Sequence, residues 1–451
     1  MTLAAVPRYE LTRQTPVEGT AVVVGGSVAG LVAARVLADR YDDVVVLDRD
    51  PLPDEPVARR GVPQARAPHV LWEAGRATLE DLFPGYAEEV IAGGGLMIDA
   101  LRDMRVFSEG DFVAPGPTRQ PMLCASRPLF EQVVRRRVAT HPGITVRERC
   151  QVTDYRYDET AGTVTGVEVR PAEGEGLEEF DAELVVDATG RTSRTPVWLK
   201  AHGYEAPPTD EVTIDVAYSV VVLERSATDR RAFVNLPEPP SGRGLFTFPI
   251  ERDRRIAALA GVHGDHPPTD PDELLAFAET LDLPEARRLL EEQPWVSEEV
   301  FHYPYPANRR NRYETLEAFP KGLVVVGDAI ASYNPVYGQG MSVAALQGLV
   351  LHHALAEGGR EDLAHRFFED VTSVVEPAWM LAVGADFQFD ETTGPKPRGT
   401  DLINRYFARL FRSMHTDGSL SGTFNRVVSM QDPPSILFRP GVIWRVMRPR
   451  S

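Results

Sequence analysis

Cysteine and lysine are both scarce in this chain of 451 residues. The two cysteines, Cys124 and Cys150, are too few for a disulfide framework and lack the spacing of metal ligands. We therefore expect no metal site and a reducing, cytoplasmic location. The three lysines, Lys200, Lys321 and Lys396, leave few candidates for chemistry that needs a lysine amine.

Long apolar runs and a positive net charge are also missing. No apolar run approaches the roughly 18 residues that a membrane-spanning helix needs. Residues 1–20 carry charges where a signal peptide needs a continuous apolar segment, so we expect a loose extension there. The net charge of −18 argues against nucleic acid as the main partner, because backbone phosphates need a basic surface.

The length suggests two or three domains, and the patterning changes along the chain. Residues 21–50 read as strand, helix and strand, with apolar residues at helical spacing in the middle part. Residues 211–262 form short, partly alternating runs that predict an antiparallel sheet. Residues 271–292 and most of the chain after 341 read as helical, apart from a surface loop at 390–400. We predict an α/β fold with one Rossmann-type unit interleaved with an antiparallel sheet, followed by a helical C-terminal region.

The string "GGSVAG" at 25–30 lies between the first predicted strand and helix. Gly25 and Gly30 occupy the first and last glycine positions of the dinucleotide fingerprint, while Ser27 replaces the middle one. Asp48 follows at the end of the next strand, where a carboxylate can accept a hydrogen bond from a ribose hydroxyl. The pattern predicts nucleotide binding, with an ordinary tight turn as the alternative.

Two further strand ends carry glycine-rich turns. "VVDATGRTSRT" at 185–195, taken alone, is better explained as a strand end followed by a plain turn. "GDAIASYNPVYGQGMS" at 327–342 places Asp328 at a strand end, where it could bind a polyol hydroxyl, and then opens a helix through three more turn residues, Pro335, Gly338 and Gly340. A helix N-terminus of this kind can stabilise the negative charge of a reduced flavin ring. The alternative is a glycine-rich packing turn.

These strings together with "SRPLFE" at 126–131 resemble the single-Rossmann, FAD-dependent monooxygenases related to p-hydroxybenzoate hydroxylase. The segments at 59–72, 259–281, 308–342 and 430–434 are similar, more narrowly, to bacterial epoxidases of polyether polyketide biosynthesis of the lasalocid and monensin type. The resemblance runs from about residue 20 to 435. It implies FAD as cofactor and NAD(P)H as a transient reductant, with a separate flavin reductase as the alternative electron source.

The resemblance also implies roles for the matching positions. The expected FAD-binding residues are Gly25, Ser27, Gly30, Asp48, Arg49, Arg60, Val62, Gln64, Arg127, Asp328, Pro335, Gly338, Gly340 and Met341. Arg60 and Arg127 would neutralise phosphates, and the turn at 335–341 would lie against the flavin ring. His69, Phe246 and Phe248 are candidates for lining the substrate site. For His69 we favour the alternative of a hydrogen-bonded structural histidine, and for the two phenylalanines core packing is an equal alternative. No side chain is expected to act as a catalyst beyond the flavin.

The same resemblance divides the chain into interleaved domains. The FAD-binding domain would comprise 20–92, 123–200 and 302–380. The substrate-binding domain would comprise 93–122 and 201–301, and a helical region would occupy 381–451. The tail "SILFRPGVIWRVMRPR" mixes arginine with apolar residues, so it either docks on the body, which we favour, or rests on a membrane.

The expected reaction transfers one oxygen atom from O2, through a flavin C4a-hydroperoxide, to an apolar and polyketide-like alkene to give an epoxide. An aromatic or polyketide hydroxylase is the main alternative because it uses the same oxidant. A prenyl-chain reductase and a non-enzymatic flavoprotein are further alternatives. A flavin-dependent halogenase is disfavoured, because such enzymes need a lysine before the substrate domain and this chain has none before Lys200.

Overall fold

A five-stranded parallel sheet forms the centre of one half of the protein. We describe a computed structural model that covers residues 6–172, 176–283, 285–358 and 362–448. The strands are β1 (Val17–Val24), β2 (Tyr41–Leu47), β7 (Ile144–Arg147), β11 (Leu184–Asp187) and β17 (Leu323–Val325). Their order is β17-β11-β1-β2-β7. The central strands are nearly continuous valine because both faces of the sheet are covered.

Seven helices accompany this sheet. Their bounds are α1 (Val28–Leu37), α2 (Glu73–Leu82), α3 (Tyr86–Ala92), α4 (Arg127–Ala139), α5 (Thr195–Ala201), α8 (Gly340–Glu357) and α9 (Leu363–Asp386). Helices α1 and α8 pack closely, with Gly348 against Val32. Small residues at this contact bring the N-termini of α1 and α8 to the edge where the parallel strands end.

An eight-stranded sheet forms the second half. Its strands are β4 (Met104–Ser108), β5 (Asp111–Phe112), β12 (Thr209–Glu224), β13 (Ala232–Asn235), β14 (Arg243–Ile250), β15 (Arg254–Gly261), β16 (Phe301–Asn311) and β18 (Ala331–Ser332). The order is β18-β16-β12-β15-β14-β13-β4-β5, and only the β13–β4 pairing is parallel. Helices α6 (Pro271–Glu279) and α7 (Glu285–Glu292) cover its outer face. Because side chains alternate along β14, Phe246 and Phe248 point together toward the opposite, inner face.

Two small sheets and three helices complete the described chain. The sheets contain β8 (Cys150–Asp158), β9 (Thr163–Pro171) and β10 (Glu178–Asp181), and the pair β3 (Leu96–Asp99) and β6 (Pro121–Cys124). The helices are α10 (Thr400–Met414), α11 (Gly418–Val428) and α12 (Pro440–Met447). Within the ranges given above, no helix combines the length and apolar character needed to span a membrane.

The predicted fold class is confirmed, because a parallel nucleotide-binding sheet and a largely antiparallel sheet are interleaved along the chain and helices follow. The prediction of a loose N-terminal extension over residues 1–20 is wrong for residues 6–20, because residues 17–20 begin β1 and residues 6–16 pack on the body; residues 1–5 lie outside the described residues. Val6 is buried, Arg8 pairs with Asp81, and the rings of His352 and His353 contact backbone carbonyls of this segment. The sequence did not reveal these contacts because their partners lie far along the chain.

Candidate functional site

A cavity of about 860 Å³ joins the two halves of the protein. It begins where the parallel strands end and continues beneath the inner face of the eight-stranded sheet. One end is lined by backbone turns and charged side chains, and the other by apolar ones. Ligands bind at this edge in other open α/β sheets.

The turn between β1 and α1 closes the polar end of the cavity. Its backbone is held by a hydrogen bond from Gly25 N to Leu47 O of 2.8 Å. A β-carbon built on Gly30 would lie 1.8 Å from the carbonyl oxygen of Gly25. Only glycine therefore allows α1 to start this close to β1, which is the packing role of the last fingerprint glycine.

Arg59 is the centre of a buried charge cluster beside this turn. Its guanidinium lies 3.1 Å from Asp48, 3.3 Å from Asp50 and 2.8 Å from Glu131, and its side chain is only 6% exposed. It also donates to the carbonyl of Gly26 at 3.1 Å. Arg60, the neighbour expected from the sequence to bind FAD, lines the cavity with an exposed side chain, and no sequence pattern pointed to Arg59.

Glu131 connects this cluster to the residue that replaces the middle glycine. Ser27 Oγ donates to Glu131 Oε2 at 3.0 Å, and Arg127 Nη2 donates to Ser27 Oγ at 2.8 Å. Burial alone would raise the pKa of Glu131, but the charges of Arg127 and Arg59 lower it. Ser27 therefore belongs to a polar network in which a carboxylate stays ionised.

The loops after β11 and β17 lie next to the same turn. Asp187, at the end of β11, is fully buried and accepts hydrogen bonds from Thr189, Ser193 and Thr195, which fixes the loop at 187–195. Asp328, after β17, lines the cavity, and burial raises the pKa of its carboxyl although Arg127 and Arg191 oppose the shift. The string at 185–195 is therefore part of the site and not a remote turn.

The glycine-rich turn at 335–341 lines the middle of the cavity. Gly338 has φ +62°, a left-handed conformation that favours glycine, and a β-carbon there would lie 2.5 Å from Val70 Cγ2. Trp72 Nε1 donates to Tyr337 O at 2.7 Å, which holds the turn from the side of α2. Helix α8 then begins at Gly340, so the positive end of its dipole lies at the cavity.

A buried amide–carboxyl network supports this turn from behind. Asn334 Nδ2 donates to Asp386 Oδ1 at 2.7 Å, and Asn308 Nδ2 donates to Asp386 Oδ2 at 2.5 Å. Tyr218 Oη, on the cavity wall, donates to Asn334 Oδ1 at 2.8 Å. Asp386 of α9 therefore positions both the turn and the tyrosine.

We expect this network to make stability depend on pH. Burial raises the pKa of Asp386 from its ordinary value of 3.8 to about 7, although hydrogen bonds from Asn334 and Asn308 oppose the shift. Because the folded state binds this proton more tightly, its contribution to the unfolding free energy falls as pH rises from 3.8 to about 7. The expected fall is on the order of a few kcal/mol.

Denaturant titrations across that pH range test this expectation. The Asp386→Asn variant should lack this component, so its stability relative to the parent should improve with rising pH. Asp42→Asn, at an exposed position of β2, serves as the control and should follow the parent. A constant difference between Asp386→Asn and the parent from pH 4 to 7 would contradict the assignment.

The far end of the cavity is an apolar chamber. The inner face of the eight-stranded sheet contributes Phe246 and Phe248, and helices α10 and α11 contribute the opposite wall. The other large apolar side chains of the chamber are Trp72, Leu101, Met104, Val106, Val113, Val234, Leu236, Phe411, Met414, Phe424 and Val428. Among the lining residues that the structure describes, the charged ones lie toward the turns at 25–30, 187–195 and 328 and not in this chamber.

His69 lies between the two ends of the cavity. Its Nδ1 lies 2.9 Å from the carbonyl oxygen of Ala67. Burial and the charge of Arg127 lower the pKa of this ring to about 4. The imidazole is therefore neutral at physiological pH. Its contact with the carbonyl of Ala67 fixes the ring, which also lines the cavity.

The structure brings the residues named from the sequence together. All of them line the cavity except Gly30, which packs α1 on β1 behind it. Sequence reasoning missed the polar residues Arg59, Arg191, Tyr218, Asn334 and Asp386. It also missed the chamber wall from α10 and α11, because nothing in an amphipathic helix shows which cavity its apolar side will cover.

Comparisons with known proteins identify the family of the chain and similar folds. Residues 18–366 match a family described as FAD binding domain. "Protein Rv3254" of Mycobacterium tuberculosis (strain ATCC 25618 / H37Rv) is 34% identical over 428 residues, which cover 91% of this chain and 90% of that protein.

Solved structures share the fold at lower identity. The flavin-dependent brominase Bmp2 superposes with a TM-score of 0.66 at 16% identity, over 95% of this chain and 98% of that one. PqsL of Pseudomonas aeruginosa, solved in complex with 2-aminobenzoylacetate, gives 0.59 at 16% identity, with coverages of 91% and 100%. The tetrameric 2-methyl-3-hydroxypyridine-5-carboxylic acid oxygenase gives 0.58 at 17% identity, with coverages of 91% and 95%. At these identities the likeness concerns the fold alone.

Proposed function

The chain belongs to the FAD-binding domain family, and from this premise we propose that it is an FAD-dependent monooxygenase that converts an apolar, polyketide-like alkene into an epoxide. The observation that carries the proposal is the continuity of one cavity from the dinucleotide turn to an apolar chamber. This arrangement would bring a cofactor and an apolar substrate together at the turn at 335–341.

The residues present fit FAD. The turn at 25–30 is a backbone cradle, and Arg127 beside it has a buried Nε without a hydrogen-bond partner among the described residues. A β-carbon on Gly340 would meet no atom within 4 Å, so the cavity is open where α8 begins. Asp48 and Arg49 would hold the adenosine, Ser27 and Arg127 the pyrophosphate, and Asp328 the ribityl chain, with Val62 and Gln64 at a second edge of the ring.

Bound FAD, reduced by NAD(P)H or by a flavin reductase, would react with O2 and supply an electrophilic oxygen atom. The chain's own part is electrostatic and steric. The N-terminus of α8 would stabilise negative charge on the adjoining ring edge. The apolar chamber would exclude water and hold the alkene, and no protein nucleophile is required.

The chamber favours an uncharged substrate. Since no described charged side chain lies at its apolar end, nothing there would anchor a carboxylate or phosphate. The positions of the lysines favour a monooxygenase over a halogenase, because Lys200, Lys321 and Lys396 are all described and none lines the cavity. A halogenase-type lysine is therefore not in place.

An aromatic hydroxylase is the second candidate, and a specific observation favours it. Tyr218, Tyr303 and Tyr305 line the cavity near the turn at 335–341. Tyr305 is 6% exposed, and its hydroxyl has no hydrogen-bond partner among the described residues. Such hydroxyls could orient a phenol or a ketone on an aromatic substrate.

Product analysis distinguishes the candidates. FAD-loaded protein with NADPH or NADH would be offered geranyl acetate, an apolar diene, and 1-naphthol, an electron-rich arene. The proposal predicts an O2-dependent epoxide of the diene as the main product. A hydroxylated naphthol with no epoxide would favour the hydroxylase. Geranyl acetate with a reduced double bond, formed without O2, would favour a prenyl-chain reductase.

A charge placed in the chamber should block the reaction. Phe246→Asp would put a carboxylate beside Phe248 without a partner, so we expect kcat/KM for geranyl acetate to fall on the order of a hundredfold. Phe246→Leu keeps the site apolar and should stay within about threefold of the parent. Both variants should retain FAD, measured by absorbance, because Phe246 lies at the chamber end of the cavity. Equal activity of Phe246→Asp and parent would contradict the proposed substrate position.

A further inference from the structure

The C-terminal region is basic in an otherwise acidic protein. Residues 396–451 contain ten lysines and arginines, three aspartates and no glutamate, a net charge of +7. The preceding 395 residues therefore carry a net charge of −25, which gives −18 for the whole chain. Such a charge asymmetry is typical of chains that contact a polyanionic surface.

The same region holds half of the large apolar side chains exposed in the described chain. Five of ten lie here, on α10, on α12 and on the turn before α12. They are Leu402, Phe438, Ile443, Trp444 and Met447, which we call the apolar face, with Leu402 66% and Trp444 63% exposed. Isolated exposed apolar residues are common, but a group of this size on short neighbouring elements marks an interaction site.

Contacts between the elements make the apolar face continuous. The ring of Tyr406, one helical turn after Leu402, stacks on Phe438 with centroids 5.2 Å apart. Arg409 donates to the carbonyls of Val446 and Met447 at 2.8 and 3.0 Å. The sequence favoured a tail docked on the body, and α12 is docked through Val446, yet its other side stays in solvent.

Three arginines beside the apolar face are not neutralised within the described chain, whereas Arg445 of α12 pairs with Asp417 at 2.9 Å. Arg405, Arg439 and Arg448 are exposed, and no carboxylate lies within 4.0 Å of them among the residues that the structure describes. The guanidinium of Arg448 lies over the ring of Trp444, 5.3 Å from its centroid. Guanidinium and indole groups on one surface suit the interface between anionic headgroups and acyl chains.

We propose that the apolar face and its arginines bind the surface of an anionic lipid bilayer. A second copy of this chain is the poorer occupant, because two faces of the same positive charge would meet across a symmetric interface. The inner sides of α10 and α11 line the apolar chamber through Phe411 and Phe424. If the proposed function holds, the bilayer therefore lies behind the wall of the chamber that takes the apolar substrate.

Vesicle sedimentation of the full-length protein tests the proposal without any assay of activity. The probes are phosphatidylcholine vesicles with and without about a third of phosphatidylserine. One double variant removes apolar side chains, Ile443→Ser with Trp444→Ser, and another removes charge, Arg439→Gln with Arg448→Gln. Val197→Ser, at a 64% exposed apolar position of α5, is the matched control.

We expect binding to the anionic vesicles only, weakened by salt because screening shortens the reach of the arginine charges. Each double variant should bind at least about fivefold more weakly, while Val197→Ser binds as the parent does. Unchanged melting temperatures would show that the exposed substitutions leave the fold intact. No vesicle binding by the parent, or binding unaffected by both double variants, would overturn the proposal. A parent dimer that the Trp444 variant splits, without vesicle binding, would assign the face to a second copy instead.

Discussion

Replacing Gly30 by alanine should weaken FAD binding strongly. The new methyl carbon would lie 1.8 Å from the backbone oxygen of Gly25, and neither the strand end nor the start of α1 can move aside without opening the turn. Overpacking of this kind costs about 1–3 kcal/mol of stability. We expect at least a tenfold rise in the Kd for FAD, measured by fluorescence titration, because the turn itself is displaced.

A substitution at a second glycine serves as the control that distinguishes weaker FAD binding from a general loss of stability. Gly348→Ala would place a methyl carbon 2.3 Å from Val32 Cγ1, which also strains α1 but through a side chain and not through the backbone of the turn. It should lower the melting temperature and leave the Kd for FAD near the parent value. If Gly30→Ala binds FAD as tightly as Gly348→Ala does, the turn at 25–30 is not the cofactor cradle.

Replacing Arg59 by methionine should destabilise the protein more than any other single charge removal near the site. It would leave Asp48, Asp50 and Glu131 buried beside one another without their shared cation. Breaking a buried ion pair from one side costs about 3–5 kcal/mol. Urea denaturation should show this loss, whereas Arg60→Met, at the exposed neighbour, should change stability by less than about 0.5 kcal/mol.

The loss of stability in Arg59→Met should depend on pH, and its direction follows from the pKa of Glu131. In the parent the charges of Arg127 and Arg59 outweigh burial and lower the pKa of Glu131 below its ordinary 4.5. The stability from this group is therefore complete above pH 4.5 and is lost as pH falls through the lowered pKa. The deficit of Arg59→Met should be largest at neutral pH and shrink in acid. Adding Glu131→Gln should recover part of it, and a deficit independent of both changes would contradict the ion-pair account.

Local patterns were sufficient to predict the polar half of the site. The fingerprint at 25–30, the acid at 48 and the turn at 335–341 each depend on neighbours in sequence, and the structure places all three along one cavity. FAD as cofactor, which the family resemblance implied, is confirmed by the family match. The polyether epoxidase subtype, the domain boundaries and the individual FAD contacts stay predictions.

Long-range partners explain what the sequence did not show. Arg59 and Arg60 are adjacent and chemically identical, and only the fold decides which of them meets Glu131, 72 residues away. Asp386 lies 52 residues from Asn334 and 78 from Asn308, so no local sequence pattern indicates that the three residues form a network. The chamber wall from α10 depends on which side of an amphipathic helix turns inward, which packing settles and periodicity does not.

A single-turnover experiment with ¹⁸O2 tests the central claim most directly, because it bypasses the choice of reductant. FAD-loaded protein would be photoreduced without oxygen, given geranyl acetate and then mixed with ¹⁸O2. The account predicts an epoxide that carries one ¹⁸O atom, formed by the parent and lost in Phe246→Asp. Recovery of all the electrons as hydrogen peroxide, with no labelled epoxide of geranyl acetate, would contradict it.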